Sequence, residues 1–466
     1  MTMTQTIPSK PLAQPAKAAA ASMSPRTRAM LEGAIVPTLL RLVAGNVGIL
    51  VAQAVITFME TYYISWLGAD ALAGATLAFP LITLMQTMSG AGIGGGVASS
   101  IARSLGAGRR EMADALALHA IVLALLLGAG FTAAELLGGA ALFRAMGATG
   151  GVLQAAITYG GVFFAGVSAL WLFNMLASIV RGAGIVRLPA MVSLGGAIAT
   201  VSLSPILIMG WGPFPRLGIA GAALATLTFY AGATIILGAY LLSGRMPIKP
   251  LRRVQLEGQL FREILRVGLP ATLNTILNNG TLLLLAALVA PFGTQAMAGY
   301  GIGARLEMMQ IPVVASFGTA LIAIVGTNIG ADNRARAARI AWMGTGMAAC
   351  VCGAFGLFGV LAPHLWISIF SGNAAVLDAG TRYLRTVGPA FAFFGIGATL
   401  FWAALGAARP FWPLACAFAR LVTAVGGGAV AGYALHGGLD AIYGAIVLGL
   451  IVYGGGTALA LRLGAW

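Results

Sequence analysis

LGADALAGATLA, residues 67–78, recurs in altered form as FGTQAMAGYGIG at residues 292–303. Each copy opens with a glycine turn and runs on into small and apolar residues. The copies start at 67 and 292, an offset of 225 in a chain of 466 residues. A repeat at nearly half the chain length predicts a duplicated architecture, so we looked for further copies.

Three more blocks repeat in the same order. LGAGRR at 105 pairs with IGADNR at 329, RGAGIVRLP at 181 with LGAARPFWP at 405, and GIAGAA at 218 with AIYGAI at 441. Their offsets, 224, 224 and 223, are hard to obtain by chance. Copies that each contain an even number of spans share one orientation, so a substrate cavity is expected between them.

The composition is that of a polytopic membrane protein, because 59% of the residues are hydrophobic and only 8% are charged. A spanning helix needs about 20 mostly apolar residues. Runs of that size lie near 33–66, 72–99, 112–138, 153–180, 189–210, 218–243, 268–290, 296–326, 338–362, 379–405, 411–433 and 439–461. We predict an all-α polytopic membrane protein with twelve transmembrane helices in two pseudo-symmetric six-helix lobes.

This pattern predicts four parts of the chain. Residues 1–30 lack a continuous apolar core, so we expect a disordered cytoplasmic tail and no cleavable signal peptide. Residues 31–243 form the N-terminal six-helix lobe, 244–266 a charged cytoplasmic linker, and 267–466 the C-terminal six-helix lobe.

The basic residues set the expected orientation. With both termini inside, 20 of them fall on the inner side, Arg181 included, against 4 outside and 3 within spans. This asymmetry follows the positive-inside rule and explains the net charge of +15 without nucleic acid as a partner. We expect a multi-pass monomer in the lipid of a bacterial inner (plasma) membrane, with cytoplasmic termini. The outer residues are Arg144, Arg216, Arg382 and Arg385, and those in spans are Arg41, Arg305 and Arg420.

Residues typical of metal or catalytic sites are scattered. No set has metal-ligand spacing, and no Ser/His/Asp combination presents itself, so we expect no cofactor, no metal and no enzyme activity. The residues considered are Cys350, Cys352, Cys416, His119, His364 and His436.

Several segments together resemble one family, the multidrug and toxic compound extrusion (MATE) transporters, over about residues 33–460. They are METYYISWLGADALAG, GAGIGGGVASSIARSLGAGRREMA, RGAGIVRLP, GIAGAALAT, and GYGIGARLE followed by GTNIGADNRARA. The resemblance implies alternating access and export of small organic substrates, often cationic and aromatic, in exchange for H+ or Na+.

The family's functional carboxylates match this sequence only in part. Its first-span acidic residue falls on Glu60, with one extra methylene. Its fifth-span Asn and Asp fall on Thr200 and Ser204, so that carboxylate is lost, and a seventh-span Glu falls near Asn278. The family's tenth-span Asp falls in the aromatic stretch FAFFGIGATLFW. Glu60 is therefore the only matched carboxylate.

Glu60 also stands out without the resemblance, because a charged group in hydrocarbon costs about 2.5 kcal/mol or more. Thr57, Gln53 and Asn46 precede it at helical spacing, and such a polar stripe is expected to face a wet cavity. The repeat places Leu285 at the equivalent position, so the first lobe is the expected coupling lobe. The alternative is a side chain that reaches the interface beside Tyr62, Tyr63 and Trp66.

Glu307 is the second candidate, and Arg305 lies two residues away. Residues at i and i+2 point to nearly opposite sides of a helix, so each is expected to bond a neighbouring span. A structural ion network and a substrate or cation site both remain open. Asn274, Asn278 and Thr281 form a further stripe that either lines the cavity or bridges helices.

Aromatic residues and methionines are weaker candidates. Flat rings facing the cavity would bind lipophilic cations, worth about 0.5 to 2 kcal/mol each, whereas single rings more often only pack. Asn174 lies beside Trp171 in the fourth span. The other candidates are Phe391, Phe393, Phe394, Phe401, Trp402, Met85, Met88, Met308 and Met309.

We therefore expect a cation-coupled antiporter with Glu60 as the coupling residue. A lipid-linked precursor flippase of the same architecture is the nearest alternative and should show several basic residues in its cavity. A membrane-embedded enzyme should modify a compound without any gradient. A transporter of the major facilitator type shares the plan of two six-helix halves, but SLGAGRREMA lacks that family's acidic residue before its basic pair.

The first prediction concerns topology. A cysteine placed at Arg253, in a chain lacking Cys350, Cys352 and Cys416, should react with a membrane-impermeant thiol reagent only after cells are opened, because the linker is predicted to be cytoplasmic. A cysteine at Arg216 serves as the outer control. Labelling of position 253 in intact cells would contradict the orientation.

Overall fold

The computed structural model describes residues 25–246, 248–249 and 255–464, apart from the side chains of residues 47–54 and 57. This part of the chain contains twelve long helical units and no strand. In chain order they are α1 Ile35–Ser65, α2 Ala69–Gly106, α3 Arg110–Ala145, α4 Gly150–Ala165 with Val167–Gly182, α5 Arg187–Met209, α6 Ile219–Leu242, α7 Gly258–Phe292, α8 Thr294–Gly330, α9 Arg334–Leu361, α10 Ala374–Gly406, α11 Phe411–Ala434 and α12 Gly438–Arg462.

The predicted fold class is confirmed. By length and composition, ten of the described helices can cross a membrane, and the two halves of α4, bent by 47° at Gly166, make an eleventh span. Helix α1 is 31 residues long, enough for the twelfth. Helices satisfy every backbone hydrogen bond within one segment, which is the condition for crossing hydrocarbon.

Each lobe has its own apolar core. One large cluster of buried side chains draws mainly on α1 to α6, and a second draws on α7 to α12. Two smaller clusters join the lobes, one centred on α1 and α8 and one on α2, α7 and α10. The molecule is therefore two packed units with a narrower apolar junction.

The backbone confirms the repeat. Gly68 and Gly293, the equivalent glycines that precede α2 and α8, have φ of 101° and 102°. Asp332 and Ala408 also have positive φ, and so do their equivalents Gly108 and Gly184. A residue with a side chain rarely adopts this conformation, so its recurrence at equivalent turns reflects duplicated geometry.

The lobes meet most closely where α2 and α8 end. A Cβ built on Gly106 would overlap the backbone carbonyl oxygen of Thr327, and one on Gly330 would overlap that of Arg103. Gly106 and Gly330 are equivalent in the repeat, so the contact is reciprocal. Small residues permit such close backbone approach between helices.

Polar contacts reinforce the same layer. Arg103 pairs with Glu263 of α7 at 3.1 Å, and its guanidinium also bonds Ser99. Ser99 in turn donates to the carbonyl oxygen of Leu405 in α10. These contacts join α2 of the first lobe to α7 and α10 of the second.

The chain before α1 also covers this layer. Residues 1–30 were predicted to be disordered, and this is wrong for residues 25–30, because Pro25–Glu32 forms a helix; residues 1–24 lie outside the described residues. Met30 is buried, and its carbonyl oxygen accepts a bond from Asn328 at 3.1 Å. A short helix that contacts α8 through Met30 therefore replaces the last part of the predicted tail.

The predicted linker, 244–266, is shorter in the structure because α7 already begins at Gly258. Its described part is attached to α3. Asp114 accepts a bond from the Lys249 amide at 2.6 Å, and His119 Nε2 accepts one from the Glu257 amide at 2.9 Å. The linker is thus held against the first lobe.

The second prediction tests the α2–α8 contact. Gly106→Ala should lower the thermal unfolding temperature of the purified protein, because the new methyl group meets backbone that cannot rotate away; overpacking of this kind typically costs about 1 to 3 kcal/mol. Gly330→Ala should act in the same direction. Gly346→Ala in α9, where a Cβ meets open space, is the control and should change little. Equal stability of all three variants would contradict the proposed tight contact.

Candidate functional site

Glu60 lies in the interior of the first lobe. Its Oε1 accepts a hydrogen bond from the Tyr159 hydroxyl of α4 at 2.6 Å and one from the Thr226 hydroxyl of α6 at 3.2 Å. The side chain is 7% exposed. Three helices of one lobe thus converge on a single carboxyl group.

The interfacial interpretation of Glu60 is wrong. Tyr62 and Trp66 are 51% and 41% exposed, so they occupy the outer face of α1 while Glu60 points inward. Buried polar groups in a membrane protein face the bundle interior and are bonded there. Glu60 fits that description rather than a side chain that reaches for the headgroups.

Glu307 occupies a comparable position in the second lobe. Its Oε1 lies 3.3 Å from the Arg420 guanidinium of α11, and its Oε2 accepts a bond from the Tyr383 hydroxyl of α10 at 2.9 Å. Arg420 also donates to Asn278 of α7 at 2.9 Å. Arg305 points elsewhere and lies over the ring of Phe370, which confirms that the two neighbours in sequence do not pair.

The two tyrosines are repeat equivalents. Tyr159 and Tyr383 are 224 positions apart, and each donates to a buried glutamate. The glutamates are not equivalent, because Glu60 comes from the first helix of its lobe and Glu307 from the second. The second lobe has the buried, apolar Leu285 where the first lobe has Glu60. Each lobe therefore contains a buried Tyr–Glu pair. The tyrosines lie on equivalent helices, and the glutamates lie on helices that are not equivalent.

A cavity of about 340 Å³ lies between the lobes, within the size range of small-molecule sites. Its walls come from α1, α2, α4 and α5 on one side and from α7, α8, α10 and α11 on the other. In α2 the wall includes Gly90 and Ala91, which belong to a π-helical segment, Met88–Ile93. Such wide turns are frequent at functional sites.

Some predicted residues line this cavity and others do not. Asn46, Asn174, Asn278 and Glu307 line it, as does Asn274. Asn46 donates to the Ser316 carbonyl oxygen at 3.1 Å and to Thr319, which ties α1 to α8 across the lobes. Asn174 donates to Ser89 at 2.8 Å.

Five other predicted site residues fall outside the cavity wall or outside the described side chains. Thr200 bonds a carbonyl oxygen of its own helix, and Ser204 is buried in α5, so neither lines the cavity. The side chains of Gln53 and Thr57 are among those that the structure leaves out. Glu60 does not line the cavity, so the polar stripe of α1 does not face one space along its whole length.

The aromatic candidates divide in the same way. Phe394 and Trp402 line the cavity, joined by Phe173 from the first lobe. Phe391 and Phe401 are buried in apolar clusters, and Trp171 stacks on Phe131. Met308 also lines the cavity. A small aromatic cluster therefore faces the cavity, and the other candidate rings pack.

Sequence reasoning missed three partners of the site. Tyr159 and Thr226 hold Glu60, and Arg181, which was assigned to the inner loops, lines the cavity. Tyr159 had a signal in the repeat, since its equivalent is also a tyrosine. Thr226 and Arg181 had none, because the equivalent residues, Gly449 and Leu405, have no polar side chain.

A family model described as MatE matches residues 47–206 and matches again over 270–430. Together the matches cover well over half of the chain. The first match lies in α1 to α5 and the second in α7 to α11. Their starts are 223 positions apart, in agreement with the internal repeat.

Curated relatives are named as transporters or multidrug resistance proteins. The probable multidrug resistance protein YoeA of Bacillus subtilis is 27% identical over 366 residues, 78% of this chain and 77% of that protein. The probable multidrug resistance protein NorM of Thermotoga maritima is 25% identical over 83% of each chain. A FAD transporter of Shewanella oneidensis is 31% identical over 279 residues, which is 60% of this chain and 62% of its own length.

Solved structures share the fold over nearly the whole chain. A transporter of the MOP superfamily from Pyrococcus furiosus, described as having a binding pocket of reverse polarity, has a TM-score of 0.83 at 25% identity; the match covers 95% of this chain and 98% of that one. A crystal structure of a MATE protein in the bent conformation has a TM-score of 0.86 at 24% identity, with the same coverage.

The third prediction concerns the Glu307–Arg420 pair. Glu307→Gln should lower thermal stability and expression while leaving some transport, because Arg420 stays buried without its counter-charge; breaking a buried pair costs about 3 to 5 kcal/mol. Glu307→Gln combined with Arg420→Gln should regain part of that stability.

Asp378→Asn is the control, since its ion pair with Arg382 is exposed and should be worth about 0 to 1 kcal/mol. Unchanged stability of Glu307→Gln together with complete loss of transport would assign the residue to coupling instead of structure.

Proposed function

This chain belongs to the MatE family of membrane transporters, and from that premise we propose that it exports small organic compounds, cationic or aromatic, in exchange for H+ or Na+ by alternating access. We place it in a bacterial inner membrane as a monomer with both termini in the cytoplasm. Glu60 is the proposed coupling residue. The observation that carries this assignment is its burial among three helices of one lobe, with two hydroxyl donors on a single oxygen.

A carboxyl group in such a place suits ion exchange. An ionisable carboxyl group enclosed by protein and held by the hydroxyls of Tyr159 and Thr226 can bind or release an ion without leaving its place. A change of charge there alters how α1 packs against α4 and α6. An ion from outside can then act on one lobe through one side chain.

Two routes connect Glu60 with the cavity. Helix α1 carries Glu60 at one end and Asn46, bonded to α8 of the other lobe, nearer the other. Gln86, which lines the cavity, donates to Tyr230, one turn beyond Thr226 on α6. Because Glu60 itself does not line the cavity, substrate and ion are coupled through these helices rather than by direct competition for one carboxylate.

The cavity suits an aromatic substrate. Trp402 and Phe394 present ring surfaces, and the amides of Asn274 and Asn278 supply polar contacts. Glu307 is the only carboxylate among the described lining residues and it is paired with Arg420, so a cationic group would lie against the aromatic rings.

The alternatives make different predictions. A flippase for lipid-linked precursors would use basic residues for a pyrophosphate, and two arginines, Arg181 and Arg420, line the cavity. Flipping of a lipid-linked precursor by purified protein in vesicles would favour that function. Chemical change of a compound without any ion gradient would favour a membrane enzyme.

The fourth prediction tests Glu60. Glu60→Gln should insert and fold normally, because the amide oxygen can accept the same bonds from Tyr159 and Thr226, but it should abolish gradient-driven efflux. Glu60→Asp should keep partial activity, since it retains an ionisable group. The measurement is dye efflux from, and drug tolerance of, a hypersensitive bacterium at matched expression.

Glu135→Gln is the control, because it removes another carboxylate from a span of the first lobe, α3. It should leave efflux near the wild-type level. Full, ion-coupled efflux by Glu60→Gln would remove Glu60 from the mechanism.

A further inference from the structure

Arg181 is a charged residue at the cavity that the proposed mechanism leaves unused. It lies in the last turn of α4 and lines the cavity. Its guanidinium donates to Ser178 of the same helix at 3.0 Å. Among the described residues, no carboxylate lies within 4.0 Å of it, although Arg103 and Arg420 each have such a partner.

The charges around the cavity leave an excess of one positive charge. Among the described residues, the charged ones that line it are Arg181, Glu307 and Arg420, and the last two pair with each other. The C-terminal end of α4 offers Arg181 only a partial negative charge. A cation at the wall of a membrane cavity is costly unless an anion or water meets it, so this position is a candidate ligand site.

The surroundings of Arg181 suit an anionic group. Ser193 of α5 lines the same cavity, and its buried hydroxyl has no partner among the described residues. Arg181 also lies close to α2, because a Cβ on the next residue, Gly182, would meet the carbonyl oxygen of Ala98. The excess positive charge and the Ser193 hydroxyl are therefore both on the first-lobe wall of the cavity.

Resting on the proposed function, we propose that the cavity binds the anionic group of an organic anion or zwitterion at Arg181. A guanidinium binds carboxylate, phosphate or sulfonate through two parallel hydrogen bonds. The aromatic or apolar body of the ligand then lies against Trp402 and Phe394 on the opposite wall. The ligand touches both lobes, so its binding responds to their relative position.

An anionic group joined to an apolar or aromatic body occurs both in soluble compounds and in lipids. Two probes distinguish these sources: carboxyfluorescein, a soluble anionic xanthene dye, and farnesyl pyrophosphate, a prenyl anion. Rhodamine 6G, a cationic dye with the same ring system as fluorescein, controls for stacking. Binding of each dye to the purified full-length protein is measured by fluorescence polarisation. Binding of farnesyl pyrophosphate is measured by its displacement of a bound dye.

Arg181→Gln should weaken binding of at least one anionic probe by about tenfold or more, as expected for a lost charge-assisted hydrogen bond. Rhodamine 6G binding should stay the same or improve. Arg181→Lys, which keeps the charge, should recover part of the affinity. Arg187→Gln, the exposed arginine at the start of α5, is the matched control and should bind like the wild type.

If Arg181→Gln does not fold, the thermal shift of the wild-type protein decides, because a ligand that binds the folded state raises its unfolding temperature. A larger rise in unfolding temperature with an anionic probe than with rhodamine 6G at equal concentration supports the site, and an equal or smaller rise contradicts it. Failure of both anionic probes to bind, or equal binding by wild type and Arg181→Gln, overturns it. Gradient-driven rhodamine efflux that depends on Glu60 would then still stand, so the two proposals fail separately.

Discussion

The close approach of α2 and α8 is the contact on which the rest of the arrangement depends. Gly106 and Gly330 let two backbones meet where any side chain would separate them. In a membrane the hydrophobic effect does not drive helices together, so packing and polar contacts must do so. The Arg103–Glu263 pair and the Ser99 bond are placed at this layer. Closing the lobes here leaves the space between them as the cavity.

The duplicated scaffold carries unequal chemistry. The turns before α2 and α8 and the tyrosines Tyr159 and Tyr383 repeat in both lobes. The carboxyl groups do not: among the described residues Glu60 accepts bonds from two hydroxyls, whereas Glu307 is also paired with Arg420. The two lobes therefore share a backbone arrangement but differ in their buried charged groups, and we assign them different roles for that reason.

Much of the fold followed from the sequence because it rests on local patterns. The apolar runs predicted the membrane spans, and the four repeated blocks predicted the two lobes. The site followed less completely. Glu60 was identified from its cost in hydrocarbon, and the pairing of Glu307 with another span followed from helical spacing. The partner itself, Arg420, lies 113 residues away; the sequence placed it within a span but did not indicate its pairing with Glu307. Arg181 was assigned to a loop by the same charge rule that gave the orientation.

The sequence by itself determined that this chain crosses the membrane in two repeated sets of helices, because hydrocarbon requires apolar segments whose backbone bonds are satisfied internally. It also determined that α2 and α8 have small residues at equivalent positions. Only the tertiary structure decided which face of each helix meets the cavity. Asn46 and Glu60 share a helix and a helical spacing, yet one bonds α8 and the other the interior of its own lobe. That choice depends on neighbouring helices distant in the chain, and periodicity within one helix does not encode it.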